Sequence, residues 1–400
     1  MPENAMAARL NKPKESGPRV LTVVHLITGL SGGGAERMLA RIATYAYGPD
    51  APRQIVISLM DEGIYGLAFR SAGIELHCLN MRNGLSFFPA LLRLAAILRS
   101  LKPSVLMTWL YHADLVGTLA AVIAGMSMRR VIWNVRCADM NLTHYAFTTR
   151  MATALLARLS RFPASVAVNS KAGQRAHTKM GYRPKKWIYL PNGFDLDVWR
   201  PDEGDREAVR SELKLADDIL TVAMIARVDP QKDHGTFLAA ARQLVLRHHN
   251  LQFVLIGKGT EALELPELAA GRIIALGERH DVHRLLRGLD IVVLSSMTEG
   301  FPNVIGEAMA SALPCIVTDV GESAELVAET GIVTPAKDPD ALAEAIANMA
   351  SESFSVRESR GAQARERIQA NFSIDRIANL YRVTWLSIAE SAVRLQLPEQ

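Results

Sequence analysis

The stretch TEGFPNVIGEAMASALP, residues 298–314, follows the apolar run Leu289-Asp290-Ile291-Val292-Val293-Leu294. It reads as the junction from a buried strand to a helix, with a Gly-Phe-Pro-Asn turn between them. Proline suits the first helical position, so Pro302 is expected to open the helix. Val304, Ile305, Ala308, Met309 and Ala312 then form an apolar face. Asn303, Glu307 and Ser311, spaced by four, form a polar stripe beside it. Glu299 stands in the loop and Glu307 in the helix, eight positions apart. A carboxylate near a helix start can simply compensate the helix dipole. That explanation serves Glu299 and not Glu307, which lies deeper. A carboxylate also accepts two hydrogen bonds from a vicinal diol. The pair therefore reads as a polyol site beside the free amides of Asn303, Val304 and Ile305, which favour an anion.

Outward from this junction the same alternation repeats. Strands are expected at 20–26, 54–59, 74–79, 105–109, 131–135, 165–168 and 187–190. In the second half they are expected at 220–225, 252–256, 273–276, 291–294, 315–318 and 332–333. Several are unbroken β-branched runs, as strands covered on both faces require. Helical periods separate them, so the class is α/β with parallel sheets. The turn Pro191-Asn192-Gly193-Phe194-Asp195 and the charged linker after it divide the chain into two doubly wound, Rossmann-like units, 19–195 and 196–372. Residues 356–370 and 374–395 read as helices, the second capped by Ser373. Residues 1–18 lack the apolar core of a secretory signal and are expected to be a mobile lead-in.

Composition narrows the function classes. A chain of 400 residues, 49% apolar and 22% charged, suits two globular domains rather than a disordered segment. The three cysteines, Cys78, Cys137 and Cys315, lie far apart with no CxxC or His/Cys cluster. This argues against a disulfide framework or a zinc site and fits a reducing cytoplasm. No metal and no bound cofactor is expected. No apolar run reaches the roughly 20 residues of a membrane span. Residues 1–195 carry 24 Lys and Arg against 10 Asp and Glu, and the rest carry 21 against 31. The balance is +14 against −10, which together give the chain's +4. A basic half points to an anionic partner, a phospholipid surface or a phosphorylated lipid, with a plain solvated basic surface as the competing reading. Nucleic acid is set aside, because no recognisable nucleic-acid motif accompanies the charge.

In doubly wound sheets, ligands sit at the carboxyl ends of strands. Two further motifs meet that rule. Gly29-Leu30-Ser31-Gly32-Gly33-Gly34-Ala35-Glu36-Arg37 follows the first strand, and its glycines let backbone amides approach a phosphate or sugar. It is neither a dinucleotide fingerprint nor a Walker A loop, and a plain flexible turn is the competing reading. Arg227 closes the first strand of the second half, with Lys232 five residues on. Two cations there can grip a diphosphate, Arg bidentately. Two exposed surface charges are the competing reading.

Together these residues resemble the retaining, nucleotide-sugar-dependent glycosyltransferases of family 4, which have the GT-B fold. Glu299 and Glu307 match the family's EX7E motif, and Arg227 with Lys232 its Arg-x4-Lys pair. Gly32–Gly34 resembles its first-domain loop and residues 191–195 its domain junction. Trp109-Leu110-Tyr111-His112-Ala113-Asp114 resembles its first-domain histidine segment. The likeness runs from about residue 20 to 385. It implies two facing Rossmann-like domains, 19–195 for the acceptor and 196–372 for the nucleotide sugar, with a terminal helix within 373–400 crossing back onto the first. It implies that Glu307 binds the ribose and Glu299 the donor-sugar hydroxyls. Gly300, Phe301, Pro302, Asn303, Val304 and Ile305 would contact sugar and phosphate, with Gly33 and Gly34 opposite. Arg227 and Lys232 would stabilise the leaving diphosphate, and His112 would face the donor sugar. His112, Glu299, Arg227 and Lys232 are thus the expected catalytic set.

The resemblance further implies metal-independent transfer of a sugar, with retained configuration, from a nucleotide sugar to an acceptor hydroxyl. UDP is the expected nucleotide and a hexose or N-acetylhexosamine the expected sugar. The expected acceptor is a lipid-linked glycan in bacterial surface polysaccharide or lipopolysaccharide synthesis. The expected setting is cytoplasmic, with peripheral contact expected at an anionic inner membrane face. Arg279, after another strand, is placed near the nucleobase and Arg136 near the acceptor. His25 and the Asp195-Leu196-Asp197 triplet are read as structural. The sequence departs from the family at Ala312-Leu313-Pro314, where a glycine often precedes the proline, and after Gly321. Three rivals share the features: a nucleotide-sugar epimerase of the same fold, a sugar phosphorylase, and a non-catalytic sugar-nucleotide-binding subunit.

Overall fold

The computed structural model describes residues 20–81, 86–137, 147–216, 218–266 and 271–394. The lead-in expected at 1–18 and the chain beyond 394 lie outside the described residues. Within them, thirteen strands form two sheets. The first contains β1 (Thr22–Ile27), β2 (Arg53–Ser58), β3 (Glu75–Cys78), β4 (Val105–Trp109), β5 (Val131–Val135), β6 (Ser165–Val168) and β7 (Trp187–Tyr189). The second contains β8 (Leu220–Ile225), β9 (Leu251–Ile256), β10 (Ile273–Ala275), β11 (Ile291–Leu294), β12 (Cys315–Thr318) and β13 (Ile332–Thr334). Every paired strand runs parallel. Each expected strand is present, with ends shifted by two residues at most.

The orders are β3-β2-β1-β4-β5-β6-β7 and β10-β9-β8-β11-β12-β13. Strand order therefore reverses between β1 and β4 in the first sheet and between β8 and β11 in the second. At such a switch point the loops leaving adjacent strands turn to opposite faces and open a crevice. The glycine-rich loop leaves β1, the His112 segment β4, the Arg227–Lys232 segment β8 and the Glu299 loop β11. All four motifs thus flank the two crevices.

Helices cover both faces of each sheet. On one side of the first sheet, Phe87–Leu101, Tyr111–Ile123 and Phe147–Leu159 bury a core that includes Leu94, Val116 and Leu156. On the other side lie Gly34–Ala43 and Gly66–Ser71 with the terminal helix Ile374–Arg394. Ile377, Tyr381 and Trp385 of that terminal helix are buried in this first-sheet core. Burying each such apolar side chain stabilises by on the order of 2 kcal/mol. His25, in β1, is wholly buried among these groups, its ring bonded to Gln54 at 3.0 Å and Trp109 at 3.2 Å. Burial lowers its pKa to about 4, so it fills the core as a neutral ring.

The chain crosses between units twice, at one place. Phe194 N donates to Phe372 O at 2.9 Å, and Ile374 N donates to Phe194 O at 2.8 Å. Asp195 turns the chain there, its Oδ1 accepting from the amides of Asp197 at 2.9 Å and Val198 at 3.3 Å. The triplet Asp195-Leu196-Asp197 thus shapes the junction. The Phe194 ring packs into the second unit's core, against Gly306 of the helix Asn303–Ala310. That helix begins one residue later than expected. Pro302, at ψ 94°, is the extended residue before it. Its far end turns through Ala312 at φ 61°, the left-handed conformation that glycine favours and the place where the family often has one.

A Cβ on Gly306 would lie 2.0 Å from Cζ of Phe194. Gly306→Ala is expected to lower stability by about 1–3 kcal/mol through overpacking. The shift of the chemical-denaturation midpoint of the second unit checks it.

Candidate active site

The residues expected on the donor side assemble around the end of β11. Glu299 Oε1 accepts from Lys232 Nζ at 2.5 Å and from Ser296 Oγ at 2.7 Å. Lys232 is placed by a short turn, Pro230–Lys232, whose Asp229 accepts from Gln231 N at 2.9 Å. Ser295 Oγ lies 3.1 Å from Lys232 O and 3.0 Å from Asp233 O, pinning that turn to β11. Met297 N completes the tie by donating to Gln231 O at 2.8 Å. Two consecutive serines thus hold the cation and the carboxylate in register. Arg227 is 67% exposed on its side chain, and its guanidinium grips Asp229 through Nη2 at 2.9 Å.

Glu307 is nearly without solvent contact, at 3% exposure. Its partners come from the other unit. Arg41 Nη2 lies 3.0 Å from Oε1 and Arg37 Nη1 3.3 Å, both on the helix Gly34–Ala43. Arg41 also donates to Gly193 O at 2.9 Å, and its guanidinium carbon sits 5.9 Å from the Phe194 ring centre. One arginine thereby joins the domain junction to the second glutamate of the motif. The sequence reading singled out neither arginine's contact. Arg37 was visible only as the end of the glycine-rich segment.

The loop Gly32–Gly34 lies opposite Asn303, whose Oδ1 accepts from Asn192 Nδ2 at 2.6 Å. A Cβ on Gly33 would lie 2.4 Å from Glu36 Oε2, so this glycine lets the Glu36 side chain fold back toward the cleft. Burial raises the Glu36 pKa above the ordinary glutamate value. Arg136, expected near the acceptor, lines the cleft, is largely buried and acts as a strap. It donates to Asn192 and, at 3.0 Å, to Tyr381 of the terminal helix, with its guanidinium over Trp109. The terminal helix covers it, which its position after β5 does not reveal.

These groups line a cleft of about 730 Å³ between the units. Gly33, Gly34, Arg227, Lys232, Arg279, Glu299, Gly300, Phe301, Pro302, Asn303, Val304 and Glu307 all reach it. Ile305 is fully buried behind them. His112 stands half-buried in the first turn of Tyr111–Ile123 and is not among the lining side chains, although Leu110 just before it is. Arg279 is held by Asp281 at 2.8 Å and Glu212 at 3.1 Å. Asn169, after β6, also lines the wall, and its Oδ1 is buried without a protein partner. Among the described residues no cluster of His, Cys, Asp and Glu suits a metal ion.

Two family models match in chain order. One, described as Glycosyltransferase Family 4, covers residues 22–198, and the other, Glycosyl transferases group 1, covers 218–352. The chain belongs to the family 4 glycosyltransferases. Among similar proteins is the Escherichia coli UDP-Gal:alpha-D-GlcNAc-diphosphoundecaprenol alpha-1,3-galactosyltransferase, 26% identical over 73% of this chain and 79% of the relative. Another is the lipopolysaccharide core biosynthesis mannosyltransferase LpcC of Rhizobium leguminosarum, 28% identical over 65% of this chain and 79% of the relative. The crystal structure of HepE from Anabaena in complex with UDP superposes with a TM-score of 0.78. That likeness spans 92% of this chain and 100% of that one at 24% identity, and it is a likeness of fold. As a family 4 glycosyltransferase of GT-B fold, the chain places its two motif glutamates on opposite terms. Glu299 is paired within its own unit, and Glu307 is paired across the cleft.

Two outcomes are expected from this geometry. Arg41→Ala removes one of the two cations beside a buried carboxylate and should cost about 1–3 kcal/mol of stability, measured by denaturation. The second concerns Asp114, which is wholly buried on the helix after β4. Its Oδ1 lies 2.5 Å from Thr108 Oγ1, and its Oδ2 has no partner. Burial raises its pKa to about 8. The unfolded chain ionises this group near 4, so between about pH 4 and 8 the folded state holds a proton that the unfolded state lacks. This contribution is full below the unfolded value and is lost as pH rises toward 8. Asp114→Asn should therefore gain on the wild type as pH rises, seen as a widening difference in melting temperature between pH 5 and 8.

Proposed function

We propose that this glycosyltransferase moves a hexosyl or N-acetylhexosaminyl group from a UDP-sugar to a lipid-linked glycan during surface polysaccharide or lipopolysaccharide assembly. The observation that carries the reading is the Lys232–Glu299 pair set beside the helix Asn303–Ala310 and its buried Glu307. Cations, a diol-binding carboxylate and free helix amides meet in one cleft. The UDP bound in the HepE structure and the diphosphoundecaprenol acceptor named for the Escherichia coli relative support the donor and acceptor classes. The acceptor's carrier lipid sets the chain at the inner face of the membrane.

In this reading Glu307 bonds the ribose, and Arg227 and Lys232 stabilise the diphosphate as the bond to the anomeric carbon breaks. No metal takes part. Glu299 Oε1 is engaged by Lys232 and Ser296, which suits holding sugar hydroxyls rather than attacking carbon. The acceptor oxygen approaches from the face that the diphosphate leaves and passes its proton to a departing phosphate oxygen. Configuration is thereby retained. Arg279 lies toward the base. Asn169 is free to bond an acceptor hydroxyl. Enclosure between the units excludes water, the competing acceptor.

Titration calorimetry with UDP, GDP and ADP in the presence of a chelator tests the donor site. UDP should bind preferentially, and Glu307→Ala should weaken it about 10- to 100-fold, the loss of a charge-assisted hydrogen bond. Equal binding by the variant removes Glu307 from the site. Release of UDP from a UDP-sugar only when acceptor is added marks transfer. An isomeric donor without acceptor marks an epimerase, and no turnover marks a binding subunit.

A further inference from the structure

The helix Lys171–Lys179 follows Asn169 and Ser170 at the end of β6. Its first amides have no partner inside the helix and need one from elsewhere. Ser170 Oγ accepts from Gly173 N at 2.9 Å. The two amides before it, Lys171 N at 2.8 Å and Ala172 N at 3.5 Å, donate to Oε2 of Glu322. That carboxylate belongs to the other unit, 150 positions from Ala172 along the chain. Its Oε1 accepts from the Tyr189 hydroxyl at 3.2 Å, and the residue is buried. The helix dipole favours a negative group at this end. The cap of this helix is thus shared, with Ser170 supplying one oxygen and the second unit another.

Glu322 is tied to the Glu299 loop as well. Its own amide donates to Gly300 O at 3.2 Å. Beside it Gly321 stands at φ 62°, and a Cβ there would lie 2.1 Å from Glu299 O. Glu299 and Gly300 therefore rest directly on residues 321 and 322. On the other side, Asn169 lies two residues before Lys171. It is buried in the cleft wall, and its Oδ1 meets no protein donor. One residue thus stands between the first motif glutamate and the unpartnered oxygen of the opposite unit. The neighbouring pair, Lys171 Nζ and Glu325 at 2.8 Å, is about half exposed on both sides and contributes little. Glu322 also occupies the place after Gly321 where the sequence departs from the family, so the tie is a property of this chain.

We propose that Glu322 is a positioning residue, which holds the Asn169 wall of the first unit in register with the Glu299 loop of the second. Glu322 is not among the residues that line the cleft, and it acts through the two segments that it joins. Its carboxylate fixes the first turn of the helix Lys171–Lys179, and with it the backbone of Asn169 just before. Its amide fixes Gly300, next to Glu299. A donor that orders the Glu299 loop therefore orders the Asn169 wall too, before an acceptor arrives. A carboxylate that merely capped a helix would not sense the donor. The use in transfer rests on the donor and acceptor roles read above, whereas the tie itself does not.

The test is amide hydrogen exchange of the full chain, read over residues 169–179 with and without UDP. In the wild type UDP is expected to slow exchange at residues 171–173, although it binds on the opposite unit. Glu322→Ala should speed exchange there about fivefold, as the loss of an ordinary helix cap does. It should also abolish the response to UDP. Calorimetry should show UDP still bound by this variant within about threefold, because the backbone amide that meets Gly300 is kept. Glu322→Gln retains an oxygen for Lys171 N and should restore both the protection and the response. Glu325→Ala should change neither by more than about twofold. Exchange in Glu322→Ala equal to that of the wild type overturns the proposal. So does a response to UDP that survives in that variant, which would make Glu322 a helix cap and nothing more. A wild type that binds UDP without any change at residues 171–173 overturns it as well. A wild type that binds no UDP faults the donor reading instead, and the tie is then decided by the exchange of the two Glu322 variants without UDP.

Discussion

Glu307 is a carboxylate almost sealed from water, and both of its cations belong to the opposite unit. An unpaired charge at such a site costs several kcal/mol. The helix Gly34–Ala43 must therefore stand against the helix Asn303–Ala310 so that Arg37 and Arg41 reach it. Much of the cleft follows from that one requirement. It sets the glycine-rich loop opposite Asn303, and it brings Arg41 onto Gly193 and Phe194 at the junction. Glu322 repeats the device at the far side, accepting from Lys171 N at 2.8 Å and from Tyr189 at 3.2 Å.

The two kinds of contact between the units differ in physical character. At the junction, Phe194 and the terminal helix are buried in apolar cores, and the two crossings are paired backbone to backbone. Around the cleft the ties are ion pairs and hydrogen bonds. Separating an apolar contact exposes surface that water does not compensate, whereas a separated ion pair is solvated again. The junction is therefore the costlier of the two contacts to separate. Both arginine bonds go to Oε1 of Glu307, so under the proposed function a ribose at this carboxylate would add to the tie at Oε2 or displace part of it. Either way, the proposed donor binding and the relation of the two units would be linked through one side chain.

The strands were legible because buried parallel strands need unbroken apolar runs, and runs such as Ile291-Val292-Val293-Leu294 have few other uses. The cleft-lining motifs were legible because strand ends at a switch point must face the crevice. What the sequence concealed depends on pairing at long range. Arg41 lies 266 residues from Glu307, and Tyr381 lies 245 from the Arg136 that it covers. A reading confined to one strand end therefore does not reveal that Arg136, which lines the cleft, is also covered by the terminal helix. Ser295 and Ser296 escaped notice for another reason. Serine at a strand end is common, and its purpose appears only when the Lys232 turn folds over it.

The two walls of the cleft were not equally readable, and the cause is chemical. A diphosphate demands cations, and a ribose demands a carboxylate or its equivalent. These residue types are costly to place without partners, so they appear in fixed spacing within one stretch of chain. The facing wall is assembled from single residues after different strands, Leu110 after β4, Cys137 after β5 and Asn169 after β6. Leu110 holds φ 72°, a conformation that a leucine keeps only where its surroundings impose it. Asn169 presents an oxygen that no protein donor meets. An acceptor hydroxyl asks for groups like that amide, which any asparagine can supply and which leave no spacing to recognise. Charge requirements write themselves into a motif, whereas neutral hydrogen-bonding requirements are met one residue at a time and become visible only when the wall is folded.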